Sequence, residues 1–410
     1  MPTEVDVAIV GGGPSGAATA HYLATRGYSV LVAEKKSFPR EKTCGDGLTP
    51  RAVKQLELMG LGDELAQWTS VKGLRIYSNE QSMELPFPDL HDWPAYGAIK
   101  PRADLDSIVL SHAERSGAKV LFHTQAIAPT FDAGVCNGFI AKREGETEEV
   151  RARYVVCSEG AATKFSRALG RERDTSYPMG LAIRQYFDSP VGSSDWFEAF
   201  LTVRSRNDAL PAYGWVFPVS EGVVNAGVGL LSTYGRWREV NLHELQHDFI
   251  TSLPAEWNIT AETVRSKPRA GRLFMGGSVQ PVVGPGFLMT GDAAGFINPC
   301  NGEGIAYAYE TGRMAGKHID GALREGSPAI VNSYSRELHD TYGAYYRLGR
   351  RFVRVIGHPA LMEKLVSIGM RSRKLMNFTL TLLANLEDSK GKTYDQVAFK
   401  FMKKLAEIKP

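Results

Sequence analysis

Apolar and polar residues alternate in blocks along the first forty positions. The apolar run Val5–Val10 leads into a glycine-rich stretch at 11–16, a helix-like segment occupies 17–28, and a second apolar run at 29–33 ends at Glu34. β-branched runs of this length are typical of buried strands, and the glycines between them mark a turn. The pattern predicts a strand, a turn, a helix and a second strand.

The middle of the chain carries a different pattern. Four apolar segments of strand length, each with partial alternation and separated by turn residues, predict an antiparallel sheet; they are 180–188, 196–204, 213–219 and 222–230. Because side chains alternate along a strand, Tyr213, Trp215 and Phe217 should lie on one face of this sheet. That aromatic row is either ordinary sheet core or the wall of a pocket.

Basic residues surround apolar ones near the C-terminus. Between 347 and 374 the chain has eight basic residues and one acid, Glu363; the basic residues are Arg347, Arg350, Arg351, Arg354, Lys364, Arg371, Arg373 and Lys374. Apolar residues recur between them at roughly helical spacing, and 375–386 carries no charge. This pattern fits a helix lying in an anionic membrane surface, and it equally fits a helical pair packed on the protein's own core.

Composition places the chain among globular proteins. Its 410 residues are 43% hydrophobic and 23% charged, which allows one or two packed units, and a net charge of +3 does not indicate a nucleic-acid partner. The four cysteines form no CxxC pair, so neither a disulfide framework nor a metal site is expected. With no signal peptide and no run of about 20 apolar residues, we expect a cytoplasmic protein that does not span a membrane.

The glycine turn after the first strand predicts a dinucleotide site. Gly11 allows the tight turn, Gly13 lets the backbone approach a pyrophosphate, and Gly16 lets the helix lie close to the strand. The pyrophosphate then lies at the positive end of the helix. Glu34 ends the second strand, where its carboxylate can accept hydrogen bonds from the ribose hydroxyls and repels a 2′-phosphate. The site is therefore expected to bind FAD or NAD rather than NADP.

A second pattern selects FAD. The short apolar strand 287–290 leads into Gly291-Asp292, and the stretch 301–306 then opens a long helix. An aspartate at a strand end can bind the ribityl chain, and backbone amides at the start of that helix, around Gly304 and Ile305, can face the pyrimidine edge of the flavin. The alternative is an ordinary capped helix start.

These residues resemble the glutathione reductase-like FAD fold in its para-hydroxybenzoate hydroxylase-type branch, an α/β fold. The resemblance includes the R-x-x-L-D stretch that begins at Arg102, implied to lie near the flavin, and the strand 120–126, whose end at Ala126 is implied to contact the adenine side. It also implies cofactor contacts by Pro14, Ser15 and Lys35. No second GxGxxG follows, so the electrons are expected from an external donor, either NAD(P)H or a redox protein.

Other residues separate the members of this branch. Glu159-Gly160 stands where the hydroxylases usually have Asp-Gly, and the halogenase pattern W-x-W-x-I-P lacks one tryptophan in YGWVFP, 213–218. YGWVFP and the loop Cys44-Gly45-Asp46-Gly47-Leu48 instead resemble the geranylgeranyl reductase family, flavoenzymes that saturate isoprenoid double bonds. Within that family the similarity is greatest to actinobacterial menaquinone reductases. A geranylgeranyl diphosphate or lipid substrate, a flavin monooxygenase or halogenase, and a non-catalytic flavoprotein that binds isoprenoid carriers are the alternatives.

The resemblance implies roles for the cysteine loop and the aromatic row. Cys44, Gly45 and Gly47 are implied to lie against the flavin, with Cys44 as a candidate proton donor beside two others, water and the flavin system itself. Tyr213, Trp215 and Phe217 are implied to bind the isoprenoid.

We predict three regions and a membrane-bound substrate. The FAD domain comprises 1–60, 97–170 and 275–340, the antiparallel-sheet substrate domain 61–96 and 171–274, and the helical C-terminal region 341–410, which is a candidate membrane-facing segment. Because an isoprenoid lipid must be taken from the bilayer, the expected location is the cytoplasmic face of the cell membrane.

Overall fold

The computed structural model describes residues 3–162, 164–206, 208–391 and 394–407. The helices are α1 Pro14–Ala24, α2 Pro50–Leu58, α3 Gly62–Leu65, α4 Arg102–Arg115, α5 Lys164–Ala168, α6 Leu242–Thr251, α7 Ile305–Glu325, α8 Ala329–Ile356, α9 Pro359–Gly369, α10 Arg373–Leu383 and α11 Tyr394–Glu407. The strands of the first half are β1 Thr3–Val10, β2 Val30–Ala33, β3 Gly47–Leu48, β4 Thr69–Val71, β5 Gly73–Ser78, β6 Gln81–Pro86, β7 Gly97–Ile99, β8 Lys119–Leu121, β9 Thr124–Asp132, β10 Val135–Arg143 and β11 Glu146–Cys157. Those of the second half are β12 Met179–Asp188, β13 Trp196–Phe200, β14 Val203–Ser205, β15 Asp208–Leu210, β16 Ala212–Ser220, β17 Val223–Leu231, β18 Arg269–Phe274, β19 Val283–Gly284 and β20 Phe287–Met289.

An eight-stranded sheet with a parallel centre and antiparallel strands β19, β9 and β10, called here the parallel sheet, forms the first layer of the molecule. Its path is β19-β20-β11-β1-β2-β8, and β9 and β10 extend it from β11. β1 pairs in parallel with β2 and β11, and β11 pairs in parallel with β20. The carboxyl ends of these four strands therefore meet at one edge, where α/β sheets bind their ligands. The glycine turn, Glu34, Glu159 and Asp292 all follow strands that end there.

Helices α1 and α7 pack closely on one another beside this sheet. A Cβ atom at Gly312 would lie 2.5 Å from the Ser15 carbonyl oxygen, and Thr19 Oγ1 donates to the Gly312 carbonyl at 3.3 Å. Only glycine allows two helix backbones to approach this closely. This contact fixes the starts of α1 and α7 relative to each other.

A seven-stranded sheet lies over the carboxyl edge of the first one. Its order is β18-β12-β17-β16-β13-β5-β6, and a small sheet β3-β7-β4 connects it to the parallel layer. Its neighbouring strands are antiparallel except for β13 and β5, which run parallel. This exception arises because β5 and β13 come from segments far apart in the chain, so no hairpin sets their direction.

The C-terminal helices complete both layers. In α8, Tyr334, Tyr342 and Tyr345 are fully buried and join the core of the parallel-sheet layer. Met376 and Leu380 of α10 pack instead in a core shared with the seven-stranded sheet. Within the described residues, no helix is long and apolar enough to cross a membrane.

Candidate active site

A single cavity of about 920 Å³ collects most of the predicted site residues. Its wall contains Gly11, Gly13, Pro14, Ser15, Glu34, Lys35, Cys44, Gly45, Gly47, Arg102, Ala126, Tyr213, Trp215, Phe217, Asp292, Gly304 and Ile305. Gly16 is the one predicted residue outside the wall. The structure thus brings into one space residues that are almost 300 positions apart in sequence.

The start of α1 forms one polar end of this cavity. A Cβ atom at Gly16 would lie 1.9 Å from the Gly11 carbonyl oxygen, so Gly16 allows the helix to approach the turn, as its place in the motif predicts. Gly13 is the N-cap of α1, and no side chain caps the first-turn amides. An uncapped helix start of this kind is a suitable place for a diphosphate.

Glu34 is held in place beside this turn. Its carboxylate accepts hydrogen bonds from the Gly12 amide at 2.9 Å and the Lys36 amide at 3.0 Å, and it is 4% exposed. The Thr124 amide donates to the Glu34 carbonyl at 2.9 Å, which brings the start of β9 and hence Ala126 to the same place. The strand predicted at 120–126 is in fact two strands, β8 and β9, separated by a turn. The ribose contact of Glu34 stays a prediction.

The start of α7 forms a second polar end. Gly304 is its N-cap and, as in α1, no side chain caps the first turn. Asp292 Oδ1 lies 3.2 Å from the Cβ position of Gly304, and Asp292 Oδ2 lies 3.4 Å from Lys42 Nζ. Two uncapped helix starts that face one cavity fit FAD, which carries a diphosphate and takes up negative charge on its ring when it is reduced.

Arg102 is oriented by its own helix. Its guanidinium donates two hydrogen bonds of 2.8 Å to Asp106, one turn further along α4, and Arg40 Nη2 lies 3.2 Å from the same carboxylate. Arg102 is 4% exposed. The pairing with Asp106 fixes the arginine at the cavity wall, and its predicted flavin contact stays a prediction.

The cysteine loop is fastened to the seven-stranded sheet through Asp46. This fully buried carboxylate accepts hydrogen bonds from Tyr186 Oη at 2.5 Å and Asn225 Nδ2 at 2.7 Å, and its backbone amide donates to Cys44 Sγ at 3.3 Å. Asn225 Nδ2 also donates to the Cys44 carbonyl at 2.9 Å. Burial raises the pKa of the Cys44 thiol, so the sulfur carries its proton at neutral pH.

The glycines of this loop face the aromatic row. A Cβ atom at Gly45 would lie 3.2 Å from Phe217 and 3.3 Å from Trp215, and one at Gly47 would lie 2.9 Å from Phe197. The rings of Tyr213 and Trp215 are 5.6 Å apart, and those of Trp215 and Phe217 are 6.3 Å apart. The aromatic row therefore lines the cavity directly beside Cys44, and the loop needs glycine because these rings leave no room for side chains.

Glu159 explains one departure from the hydroxylase pattern. Its carboxylate accepts hydrogen bonds from the Ser166 amide at 2.8 Å and the Phe165 amide at 3.2 Å, at the start of α5. An aspartate would be one methylene too short to make the same contacts from this backbone position. The longer acid thus holds a short helix at the cavity edge.

Glu303 is a cavity residue that the sequence reasoning missed. It lines the wall between Gly302 and Gly304, and burial raises the pKa of its carboxyl to about 7. The motif at 301–306 predicts only a role for the backbone amides at the start of α7. An acid among glycines was the signal in the sequence, but capping and loop acids give the same pattern.

The C-terminal helices form the wall of the apolar end of the cavity. The apolar residues that line it there include Phe352, Ile356, Met362, Leu365, Val366, Ile368, Leu375, Met376, Leu380 and Leu383. Leu365, Ile368 and Leu375 are also 41–47% exposed on the outside. The cavity therefore opens through α9 and α10.

We call this opening the entrance surface. Its exposed apolar residues are Val355, Leu361, Leu365, Ile368 and Leu375, and its exposed basic residues are Arg351, Arg354, Lys364, Arg371, Arg373 and Lys374. One side of these helices packs on the protein and the other is exposed, and the membrane contact of the exposed side stays a prediction.

One group of side chains elsewhere has the geometry of a metal site. The ligand atoms of His91, Asp92 and Asp388 lie within 4.8 Å of one another in the described part of the chain. Hydrogen bonds within the group explain why these atoms lie close together: His91 Nδ1 lies 3.0 Å from Asp92, and the His91 amide donates to Asp388 at 3.1 Å. The expectation that the protein holds no metal stays a prediction.

Comparison with known proteins assigns the fold and its relatives. The FAD binding domain family matches residues 4–347. The menaquinone reductase of Mycobacterium tuberculosis (strain H37Rv) is 36% identical over 391 residues, which cover 93% of this chain and 91% of that protein. The digeranylgeranylglycerophospholipid reductase 1 of Methanothermobacter thermautotrophicus is 27% identical over 423 residues, which cover 100% and 97%.

Solved structures share the whole architecture. A geranylgeranyl bacteriochlorophyll reductase-like protein from Thermoplasma acidophilum superposes with a TM-score of 0.80 at 21% identity and covers 98% of this chain and 99% of its own. A flavin-dependent brominase superposes with a TM-score of 0.75 at 19% identity and covers 98% and 99%. These matches confirm the predicted FAD-binding fold class, while at such identities the structures show the fold alone.

Proposed function

The chain belongs to the FAD-binding domain family and, within it, to the geranylgeranyl reductase family of flavoenzymes, and from this we propose that it saturates one isoprene unit in the side chain of menaquinone. The observation that carries the proposal is the cavity, in which a polar end suited to FAD continues into an apolar end that opens at the surface. A substrate with a long apolar tail fits this arrangement.

The apolar end suits an isoprenoid chain. Aromatic and aliphatic side chains line it from the seven-stranded sheet and from α9 and α10. Each methylene group buried there contributes about 0.8 kcal/mol, so a single isoprene unit provides several kcal/mol for binding. Binding energy along the tail can hold one double bond beside the cysteine loop, where the aromatic row excludes water.

The reaction needs a hydride at one alkene carbon and a proton at the other. FAD, when bound and reduced, supplies the hydride. The chain's residues orient the alkene, keep the space dry and provide the proton. Cys44 lies in the right part of the wall with its thiol protonated, and its catalytic role stays a prediction.

The electrons come from an external donor. The sequence has no second glycine-rich dinucleotide motif, so transiently bound NAD(P)H or a redox protein must reduce the flavin. Both donors deliver two electrons per double bond.

The entrance surface supports peripheral binding to a membrane. Apolar residues at the mouth of the cavity can enter the acyl layer while the surrounding basic residues bind anionic headgroups. Within the described residues, no ion pair joins Arg351, Arg371, Arg373 or Lys374 to a carboxylate. The tail would then pass from the bilayer into the cavity without crossing water.

Lipid mass spectrometry after gene deletion tests the proposal. If the protein reduces menaquinone, the quinone pool of the deletion strain keeps its full set of double bonds and is lighter by two hydrogens. Unchanged menaquinone with altered diphosphate lipids or membrane lipids would instead indicate a geranylgeranyl substrate, the alternative that the archaeal relative supports.

A further inference from the structure

Glu303 stands on a rigid loop at the cavity wall. Its amide donates to Asn301 Oδ1 at 2.9 Å, and its carbonyl accepts from the Asn298 amide at 2.8 Å. These two hydrogen bonds fix the backbone on both sides of Glu303. The side chain therefore leaves the loop in a defined direction, toward the cavity that it lines.

The two oxygens of the Glu303 carboxyl have different surroundings. Thr49 Oγ1 donates to Oε1 at 2.5 Å. Oε2 is buried, and no group in the described part of the chain donates a hydrogen bond to it. Burying a charged carboxylate oxygen that receives no hydrogen bond costs much free energy. Burying the protonated, neutral carboxylic acid in the same place costs less, so these surroundings favour the protonated form.

The nearest cation is already paired with another acid. Arg51 Nη2 donates to Glu310 Oε2 at 3.0 Å and Arg51 Nη1 donates to the Asn385 carbonyl at 2.6 Å. Tyr342 Oη also donates to Glu310. Glu310 thus has donors on both oxygens as a carboxylate, while Glu303, seven residues earlier in the chain, receives a hydrogen bond from none of these groups.

Resting on the proposed function, we propose that Glu303 is the acid that protonates the isoprenoid double bond. In this step the π bond breaks as one carbon takes a hydride from the reduced FAD and the other takes the proton from Glu303, so that two C–H bonds form. The flavin loses two electrons, which the external donor replaces. The Glu303 carboxylate regains its proton from solvent before the next turnover.

The acidity of Glu303 favours it over Cys44 as the proton donor. Burial is the main cause that raises the pKa of Glu303 to about 7; the Thr49 hydrogen bond and Arg51 oppose it, and Glu310 adds to it. Burial also raises the pKa of the Cys44 thiol above its ordinary value of 9.0. An acid works best when its pKa lies near the working pH, because a weaker acid gives up its proton less readily.

Glu303→Gln tests the assignment with the holoenzyme. The amide keeps the shape of the side chain and can still accept from Thr49, so FAD binding and flavin reduction by dithionite should stay as in the wild type. Formation of menaquinone with two more side-chain hydrogens, followed by mass spectrometry, should become at least about 100-fold slower, the usual contribution of a general acid. Glu325→Gln, an exposed change at the end of α7, is the matched control and should have wild-type rates.

The pH dependence gives a second readout. The charged or titratable groups that act on Glu303 are Arg51 of α2 and Glu310 and Tyr307 of α7. Since only the protonated acid is active, the wild-type rate should fall as the pH rises through about 7, and this fall should be absent in Glu303→Gln. Thr49→Val removes the hydrogen bond that favours the anion and should move the fall to higher pH.

Infrared difference spectroscopy measures the acid without turnover. The carbonyl band of a protonated carboxyl should disappear with a midpoint near pH 7 and be missing in Glu303→Gln. A rate in Glu303→Gln equal to that of the wild type, or a band that titrates at the ordinary glutamate pKa, would overturn the assignment and leave the proposed function intact. A wild-type protein that reduces no isoprenoid tail would instead remove the proposed function, and the role of Glu303 with it.

Discussion

Gly16 sets the distance between the first helix and the turn that precedes it. A Cβ atom there would lie 1.9 Å from the Gly11 carbonyl oxygen, a distance that the backbone can relieve only by moving α1 away from β1. Gly16→Ala should therefore lose most of its FAD after gel filtration, which the flavin absorbance per protein measures. Gly62→Ala, at a position with open space, is the matched control and should keep its flavin. Full flavin content in Gly16→Ala would contradict the position of the cofactor at this turn.

Asp46 is the residue that joins the cysteine loop to the seven-stranded sheet. In Asp46→Asn the new amide nitrogen faces donors in either orientation: Tyr186 and Asn225, which both donate to Oδ2 of the aspartate, or the Arg102 amide, which donates to Oδ1. A buried hydrogen bond lost in this way costs about 1–3 kcal/mol. We expect denaturant unfolding to show a loss of that size in the free energy of unfolding, together with faster alkylation of Cys44.

Asp340→Asn provides the comparison for that measurement. Asp340 is exposed on α8, so its replacement should change the free energy of unfolding by no more than about 0.5 kcal/mol. Equal stability of the two variants would show that the Asp46 contacts do not hold the loop.

Motif residues could be located from the sequence and their partners could not. The glycines at 11–16, Glu34 and Asp292 belong to local patterns whose neighbours are close in sequence, so their place in the cavity could be predicted. Asp46 depends on Tyr186, which is 140 positions away, and the unpartnered oxygen of Glu303 is visible only once the fold surrounds it. Contacts between distant segments leave no periodic signal.

At the scale of elements, α9 and α10 carry the predicted membrane contact. Leu365 and Ile368 are 41% and 47% exposed at the cavity mouth. Replacing both with glutamate removes about 1.5–3 kcal/mol of apolar burial per residue and adds repulsion from anionic lipids. The double variant should bind vesicles that contain anionic lipid at least about tenfold more weakly, as measured by co-sedimentation.

An apolar side chain elsewhere tests whether the effect is local. Phe131 is 50% exposed on β9, away from the entrance surface, and Phe131→Glu should bind vesicles as the wild type does. High salt should weaken wild-type binding because it screens the basic residues. Equal binding by the double variant and the wild type would exclude the entrance surface as the membrane contact.

The elements themselves were predictable where their pattern is strong. The strands at 179–188, 212–220 and 223–231 follow the predicted segments within about two residues, whereas the segment 196–204 is divided between β13 and β14. The parallel pairing of β13 with β5 could not be predicted, since it depends on where a distant segment returns to the sheet. The C-terminal pattern predicted helices but could not assign their two faces.

At the scale of the whole molecule, the cavity is assembled from three parts of the chain. The parallel sheet provides the polar end, the seven-stranded sheet provides the aromatic row, and the C-terminal helices provide the opening. The predicted division at 1–60, 97–170 and 275–340, at 61–96 and 171–274, and at 341–410 stays a prediction. Residues of all three predicted regions line the cavity, so that one bound substrate can contact all of them.

Because flavoproteins of different activity share this architecture, the reaction has to be inferred from the residues of the cavity. A flavin-dependent brominase has the same fold, so the fold alone does not show whether this chain reduces an alkene or catalyses an oxygen-dependent reaction. The apolar, aromatic cavity beside Cys44 and Glu303 favours reduction, because its wall combines an apolar lining suited to an alkene with two candidate proton donors.

The most direct test combines anaerobic turnover with mass spectrometry of the lipid. Purified holoenzyme is reduced with dithionite and mixed with menaquinone in vesicles without oxygen. The quinone is then extracted, and its molecular mass is measured by mass spectrometry. We expect each reduced flavin to be reoxidised as one side-chain double bond gains two hydrogens. Flavin that stays reduced beside unchanged menaquinone and geranylgeranyl lipids, or a product that forms only with oxygen, would contradict an isoprenoid reductase.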